Sequence, residues 1–276
     1  MIEATITPRG PYSLRLTART RTWRARLPGD GVAEAVQLST GEIVVRATDE
    51  AAVGHARFML ALDDDTSAFH RRFAHDRVLG PSVRALRGLR PRRKATVAHA
   101  VVRAVAGQLV QSGKALEIER AILRACGEDP PSREALSKLS PAALCRAGLA
   151  ASRAATLARL VREIDIERLR EAPPAIALAR LGRVRGFGPW SVGVVALQGL
   201  GRYDTGLVGD LGLVKLLASL RGAWPDPSET AELLAPYEEW QGLASVFMLA
   251  GLKRGLVPGA SLDGARAARA AAPRGA

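Results

Sequence analysis

The stretch "VRGFGPWSVG", Val184 to Gly193, reads as a helix cut open and restarted. The apolar spacing of "PAIALARLGRV" before it is helical, and so is that of "VGVVAL" after it. Between them stand Gly186 and Gly188, one residue apart, and then Pro189. Both glycines can take positive φ and so allow a tight turn, and a proline suits the first position of a helix. The product is a helix N-terminus whose first amides lack internal partners, a natural site for a phosphate. The same pattern also describes an ordinary helix–helix connection, so the hairpin alone leaves both readings open.

Working outward, "YDTGLVGDLGL" places Asp210 at the start of the next helical run, "LGLVKLLASL". As structure it is a good N-cap. As chemistry it is a carboxylate at a helix terminus that favours negative charge, close in sequence to an anion-binding hairpin. A carboxylate beside a polyanion has a use where positive charge develops during a reaction.

The rest of the chain bounds the possibilities. Its 276 residues suffice for two ordinary domains, and 47% hydrophobic residues supply a core, which argues against general disorder. No window approaches the roughly 18 apolar residues of a membrane span, and the N-terminus shows no export pattern. A soluble cytoplasmic protein is expected. Two cysteines, Cys126 and Cys145, are too few for a four-cysteine zinc site or an iron–sulfur cluster, and read as free thiols. The net charge is +13, and Arg71 to Lys94 holds nine basic residues against one acid, Asp76. Such an excess suggests a polyanionic partner, nucleic acid or an anionic membrane.

The fold class expected is α+β and predominantly helical. "YSLRLTART", "TWRARL" and "GEIVVRAT" alternate in the manner of strands and are separated by turn signals, predicting a small antiparallel sheet. "DTSAFHRRFAHD" predicts a short helix capped by Asp65 or Thr66, and residues 1–75 form a mixed α/β domain. Residues 76–256 form a helical region in which "TVAHAVVRAVAGQLV" is buried, and Ser140 with Pro141 opens another helix. The tail, 257–276, is poor in large apolar residues and is expected to be disordered. No internal repeat of fixed period is found.

Taken together, "LGRVRGFGPWSVGVVALQGLGRYDTGLVGDLGL" resembles the helix-hairpin-helix DNA glycosylases, in their 3-methyladenine DNA glycosylase II branch. That family has a Gly-hydrophobic-Gly hairpin, then a turn ending in Asp, then a catalytic Asp six residues on; Asp204 and Asp210 keep the spacing. "LALDDD", "GLRPRR", "VVRAVAGQLV" and "LSPAALCRAGLAASRAATLARL" resemble further family segments, so the likeness runs from about residue 58 to about 250.

The resemblance implies two helical subdomains flanking a DNA cleft, no cofactor, and duplex DNA containing damaged bases as the partner of a monomeric, nucleoid-associated enzyme. It makes Asp210 catalytic and sets Trp190, Gln108, Val194 and Leu211 against the flipped base. It sets Arg185, Gly186, Gly188, Trp190 and Ser191 against the DNA backbone, with Leu109 as the wedge in the opened duplex. A monovalent cation would sit on hairpin carbonyls near Val184 and Gly186. Leu109 reads equally as core, and so does Trp240. The reaction implied is hydrolysis of the N-glycosidic bond of a 3-methyladenine-type base in base-excision repair. Bifunctional members carry a lysine just past the second glycine; Trp190 stands there and "GFGPWSVG" has no lysine, implying no lyase step.

The chain departs from the branch in its aromatics. Val194 and Leu211 stand where rings often do, and in "WQGLASVFMLAGL" Ala244, Val246 and Leu252 replace Arg, Tyr and Trp. Three alternatives stay open: a catalytically weak damage-binding module, a glycosylase for deaminated or oxidised bases, and a helical protein unrelated to nucleic acid.

Overall fold

The computed structural model describes residues 1–108 and 110–272. Four strands form one antiparallel sheet in the order β1-β4-β3-β2: β1 (Ile2–Ile6), β2 (Thr22–Arg26), β3 (Val32–Gln37) and β4 (Ile43–Ala47). Ile2 pairs with Ala47, Ala33 with Ala47, and Thr22 with Val36, so the inward residues Trp23, Ala33, Ala35, Ile43 and Val45 line one buried face. Period-two alternation puts the polar residues on the other face.

Two helices cover that sheet. The segment read as a strand, "YSLRLTART", is instead the short helix α1 (Leu14–Ala18). Ser13 caps it by accepting from Leu16 N, Arg19 ends it at φ 64°, and Leu14, Thr17 and Ala18 go inward at helical spacing. Helix α2 (Glu50–Met59), which the strand reading passed over, is capped by Asp49 and buries Ala52 and Ala56.

The remaining helices run α3 (Ser67–Phe73), α4 (Gly80–Ala85), α5 (Val97–Gly107), α6 (Ser112–Cys126), α7 (Arg133–Ser137), α8 (Pro141–Arg146), α9 (Ala151–Glu163), α10 (Pro174–Gly182), α11 (Pro189–Gln198), α12 (Leu211–Arg221), α13 (Thr230–Leu234), α14 (Gln241–Leu252) and α15 (Leu262–Ala271). They share a second, larger core centred on α5, whose Val and Ala residues are buried on nearly every side. Phe69 and Phe73 of α3 belong to this helical core, packed on Phe247, Trp240 and Tyr237. Helix α3, which the sequence reading places in the first domain, therefore packs with the helical core, while Ala95 packs back onto the sheet core.

Helix α15 corrects the expectation of a disordered tail. Large apolar residues are unnecessary there because Ala265 and Ala268 let the helix lie close on α12. Ser261 caps it, Ser261 N donates to Ser219 Oγ at 2.8 Å, and the Arg269 guanidinium lies 4.8 Å from the Trp224 ring centroid. Residues 273–276 lie outside the described residues.

The basic run Arg71–Lys94 divides: Arg71, Arg72, Arg77, Arg84, Arg87 and Arg92 stay exposed, while Arg90 and Arg93 turn inward. Arg90, 1% exposed, lies over the Tyr12 ring and donates to the carbonyls of Ala61, Arg9 and Pro11, joining the two cores. Arg93 pairs with Asp64, donates to Gly201 O at 2.9 Å, and sits between the rings of Phe58 and Tyr203. Arg170, from the helical part, donates to Gly199, Lys94 and Ala95 carbonyls and lies 4.2 Å over Phe58. Lys94 and His99 both reach Glu119 Oε1. Burial alone would raise the Glu119 carboxyl, but the His99 hydrogen bond and the Lys94 charge outweigh it and bring it down to about 2.

Gly88, at φ +86°, allows Ser13 N to donate to Gly88 O at 2.9 Å; a Cβ there would lie 2.6 Å from the Tyr12 carbonyl carbon. Gly88→Ala therefore combines left-handed strain with a backbone clash and is expected to cost about 2–4 kcal/mol in urea unfolding. His70, edge-on to Phe69 and Phe247, is pushed down to about 4 by burial and by the charges of Arg87 and Arg90. An unfolded histidine takes its proton near pH 6.5. Stability from neutral His70 is therefore complete above pH 6.5 and is lost as pH falls from there through 4. The urea midpoint should fall over that window, and less steeply in His70→Asn, which keeps the similar contributions of the lowered His55 and His99.

Candidate active site

The hairpin is built from inward and outward residues in turn. Val184 and Phe187 are buried, and Phe187 N donates to Val184 O at 2.9 Å, so Arg185 and Gly186 face out. Gly186 sits at φ +85°, and a Cβ on it would lie 2.6 Å from Thr156 Oγ1 of α9. Gly188 differs from the expectation: its φ is −78° with ψ −178°, an extended N-cap open to any residue. A Cβ on it would meet nothing within 4 Å. The fold has no need of glycine at that exposed position, so its bareness is available to a molecule approaching the backbone. Pro189 starts α11, and the amides of Trp190 and Ser191 follow without helical partners.

Gln108, at the end of α5, fixes this turn. Its Nε2 donates to Gly186 O at 2.9 Å and to Ser191 Oγ at 2.8 Å, while Arg153 of α9 donates to Gln108 O at 2.7 Å. The Gln108 amide is thus engaged in holding the hairpin. Ser191, 2% exposed, takes part from behind the turn, so only its backbone amide is placed for an outside ligand. Val184 O and Gly186 O each already accept one hydrogen bond and keep a second lone pair. To that extent they fit a monovalent cation, which when bound would add positive charge beneath a phosphate.

Asp210 caps α12. Its Oδ1 accepts from Gly212 N at 2.7 Å and its Oδ2 from Trp190 Nε1 at 2.9 Å. The loop that delivers it is pinned throughout: Gly242 N donates to Tyr203 O, Leu207 N to buried Ser245 Oγ, and Gly209 N to buried Thr230 Oγ1 at 2.7 Å. Gly193 and Gly212 allow the close packing; a Cβ would lie 2.4 Å from Gly206 O in one case and 2.3 Å from Leu249 Cδ2 in the other. Asp204, six residues earlier, is paired with Arg202 and stays structural.

Trp190, Asp210, Gly186, Gly188, Arg185 and Gln108 are thus brought together. Leu211, 54% exposed, stands beside Asp210. Val194 is a correction: it lies in the helical core, because α11 buries Ser191 and every residue from Gly193 to Leu197, and it offers no wall to a ligand. Trp240 stacks on Tyr203 and lies tilted against Phe69 as a member of the aromatic core. Leu109 lies outside the described residues. Sequence reading missed Arg153, Thr156 and Thr230, which come from distant segments and carry no local signal.

No family model matches the chain. Among curated proteins it is similar to the DNA-3-methyladenine glycosylase of Bacillus subtilis (strain 168), 24% identical over 205 residues that cover 68% of this chain and 67% of that protein. Among solved structures it is similar to the 3-methyladenine DNA glycosylase from Archaeoglobus fulgidus, with a TM-score of 0.77 at 17% identity over 92% of this chain and 99% of that one. It is also similar to the Clostridium acetobutylicum 8-oxoguanine glycosylase/lyase in complex with DNA, with a TM-score of 0.70 at 14% identity over 93% and 99%. The fold is that of the helix-hairpin-helix DNA glycosylases. It is the fold that the sequence resemblance leads one to expect.

Gly107 backs the indole: a Cβ on it would lie 2.6 Å from Trp190 Cη2. Gly107→Ala is expected to displace the ring and lengthen the bond to Asp210, read as a shift of the Trp190 indole N–H resonance with the remaining spectrum retained.

Proposed function

We propose that this protein is a monofunctional DNA glycosylase of base-excision repair that removes alkylated bases. The observation that carries the reading is a carboxylate at a helix N-terminus, held by an indole, within one hydrogen bond of the helix that starts at an open hairpin. The named relatives support a glycosylase acting in repair.

The geometry suits a cationic leaving group. A flipped nucleotide would place its phosphates on the free amides of Trp190 and Ser191, contacts that position without reading sequence. Its C1′–N bond breaks with the electron pair passing to the base ring, which cancels the positive charge of alkylation. The sugar is left as an oxocarbenium ion, and Asp210, fixed beforehand by its two hydrogen bonds, stabilises it without reorganising. Water then adds to C1′ and loses a proton, giving free base and an abasic site. A neutral oxidised base would need a proton as it leaves, and among the described residues no histidine or lysine hydrogen-bonds to Asp210. The lack of lysine between Gly186 and Gly193 supports hydrolysis without a lyase step. Leu211 offers an aliphatic contact where a stacking ring is absent, which favours a broad range of alkylated bases.

Asp210→Asn is expected to lower release of free base from methylated duplex DNA by at least about a hundredfold while leaving duplex affinity intact; equal release by both chains would remove the carboxylate from its role. Gly188→Val separates binding from folding. Because no protein atom opposes the new side chain, the melting temperature should be unchanged while duplex affinity falls by about tenfold. Gly186→Val, which also meets Thr156, should lose both.

A further inference from the structure

We propose that the N-terminal sheet and helix α6 form a second track for the DNA backbone, flanking the lesion. This rests on the glycosylase reading and assigns the sheet its part in it. Between Arg15 and Arg26 the chain has five arginines and no acid. Strand β2 carries the last of them on the free edge of the sheet. Trp23 anchors that strand in the core, so the alternation leaves Arg24 and Arg26 outside.

Arg26 does not stand alone. It shares a groove of about 370 Å³ with Arg120 and Arg124, one turn apart on the exposed face of α6, and with Leu123 and Gly127. Glu128 and Asp129 close the groove, yet neither carboxylate forms an ion pair with these arginines, and Glu128 accepts instead from Ser132 N. None of the three guanidinium groups makes a salt bridge among the described residues, whereas Arg24 pairs with Glu34 and Lys114 with Glu117.

Charge on an edge strand has a plain use in preventing edge-to-edge association. That use does not call for two further arginines from another domain in the same groove. Three convergent guanidinium groups fit the repeated phosphates of a duplex, which they bind through charge and bidentate hydrogen bonds. Their position agrees. Helix α6 begins four residues past Gln108, the residue that clamps the hairpin. At a rise of about 1.5 Å per residue, Arg120 and Arg124 lie about 12 and 18 Å along it from Ser112. That reach corresponds to about five base pairs of duplex.

The experiment compares the wild-type protein with the triple variant Arg26→Gln, Arg120→Gln, Arg124→Gln on a 24-base-pair duplex with one central methylated base. Affinity is measured against salt, and base release under single turnover at saturating protein. The track predicts that the log–log salt slope falls by about 2–3 in the variant. Release at saturation should stay at the wild-type rate, and the triple Arg→Lys variant should restore the slope. Equal slopes in wild type and Gln variant would overturn the proposal and leave the face to an acidic protein partner. Loss of release at saturation would overturn it too, by placing these residues in the fold or the site. A wild-type protein that binds no duplex would instead overturn the glycosylase reading beneath it.

Discussion

The hydrogen bond from Trp190 Nε1 to Asp210 Oδ2 is the joint on which the candidate site turns. One side of the indole rests on Gly107 at the end of α5, its backbone supplies one of the free amides of α11, and its ring nitrogen sets the carboxylate at the head of α12. Three helices that approach from different directions are thereby referred to one ring. The anion-binding turn and the carboxylate need a fixed separation, because one holds the strand on which the other acts. A single rigid side chain sets it with only two rotatable bonds to order.

What stands around the joint shows how far the sequence can be read. The broken helix, Pro189 at its restart and Asp210 as a cap were legible because each is a local device whose signal lies within a few residues. The two glycines looked alike in sequence and differ in structure: Gly186 answers to φ and to Thr156, Gly188 to neither. Thr230, which holds the Asp210 loop, was invisible because its partner is 21 residues away. Val194 was misplaced because the side of α11 that faces a ligand depends on what packs against its other sides.

The first domain tells the same story in a different currency. Alternation found two strands but turned "YSLRLTART" into a third, since Leu14, Leu16 and Ala18 satisfy a period of two as well as they fit a helix. The alanine-rich tail failed the opposite way: scarcity of large apolar side chains looked like disorder, though small ones let α15 lie close against α12. Of the arginine run between residues 71 and 94, Arg90 and Arg93 prove to be masonry, while Arg71, Arg72, Arg77, Arg84, Arg87 and Arg92 stay exposed. Charge counted along a chain cannot separate a guanidinium aimed at solvent from one spent on buried carbonyls.

That masonry sets how the two cores behave when the protein warms. Arg90, Arg93 and Arg170 hold charged groups in a buried seam, and their main burden is the hydration they gave up. The hydration of charge weakens as temperature rises, while the gain from burying apolar surface levels off. The seam therefore becomes relatively less costly over the range in which each core loses its margin, and heat acts on the sheet and the helices before it acts on the bond between them.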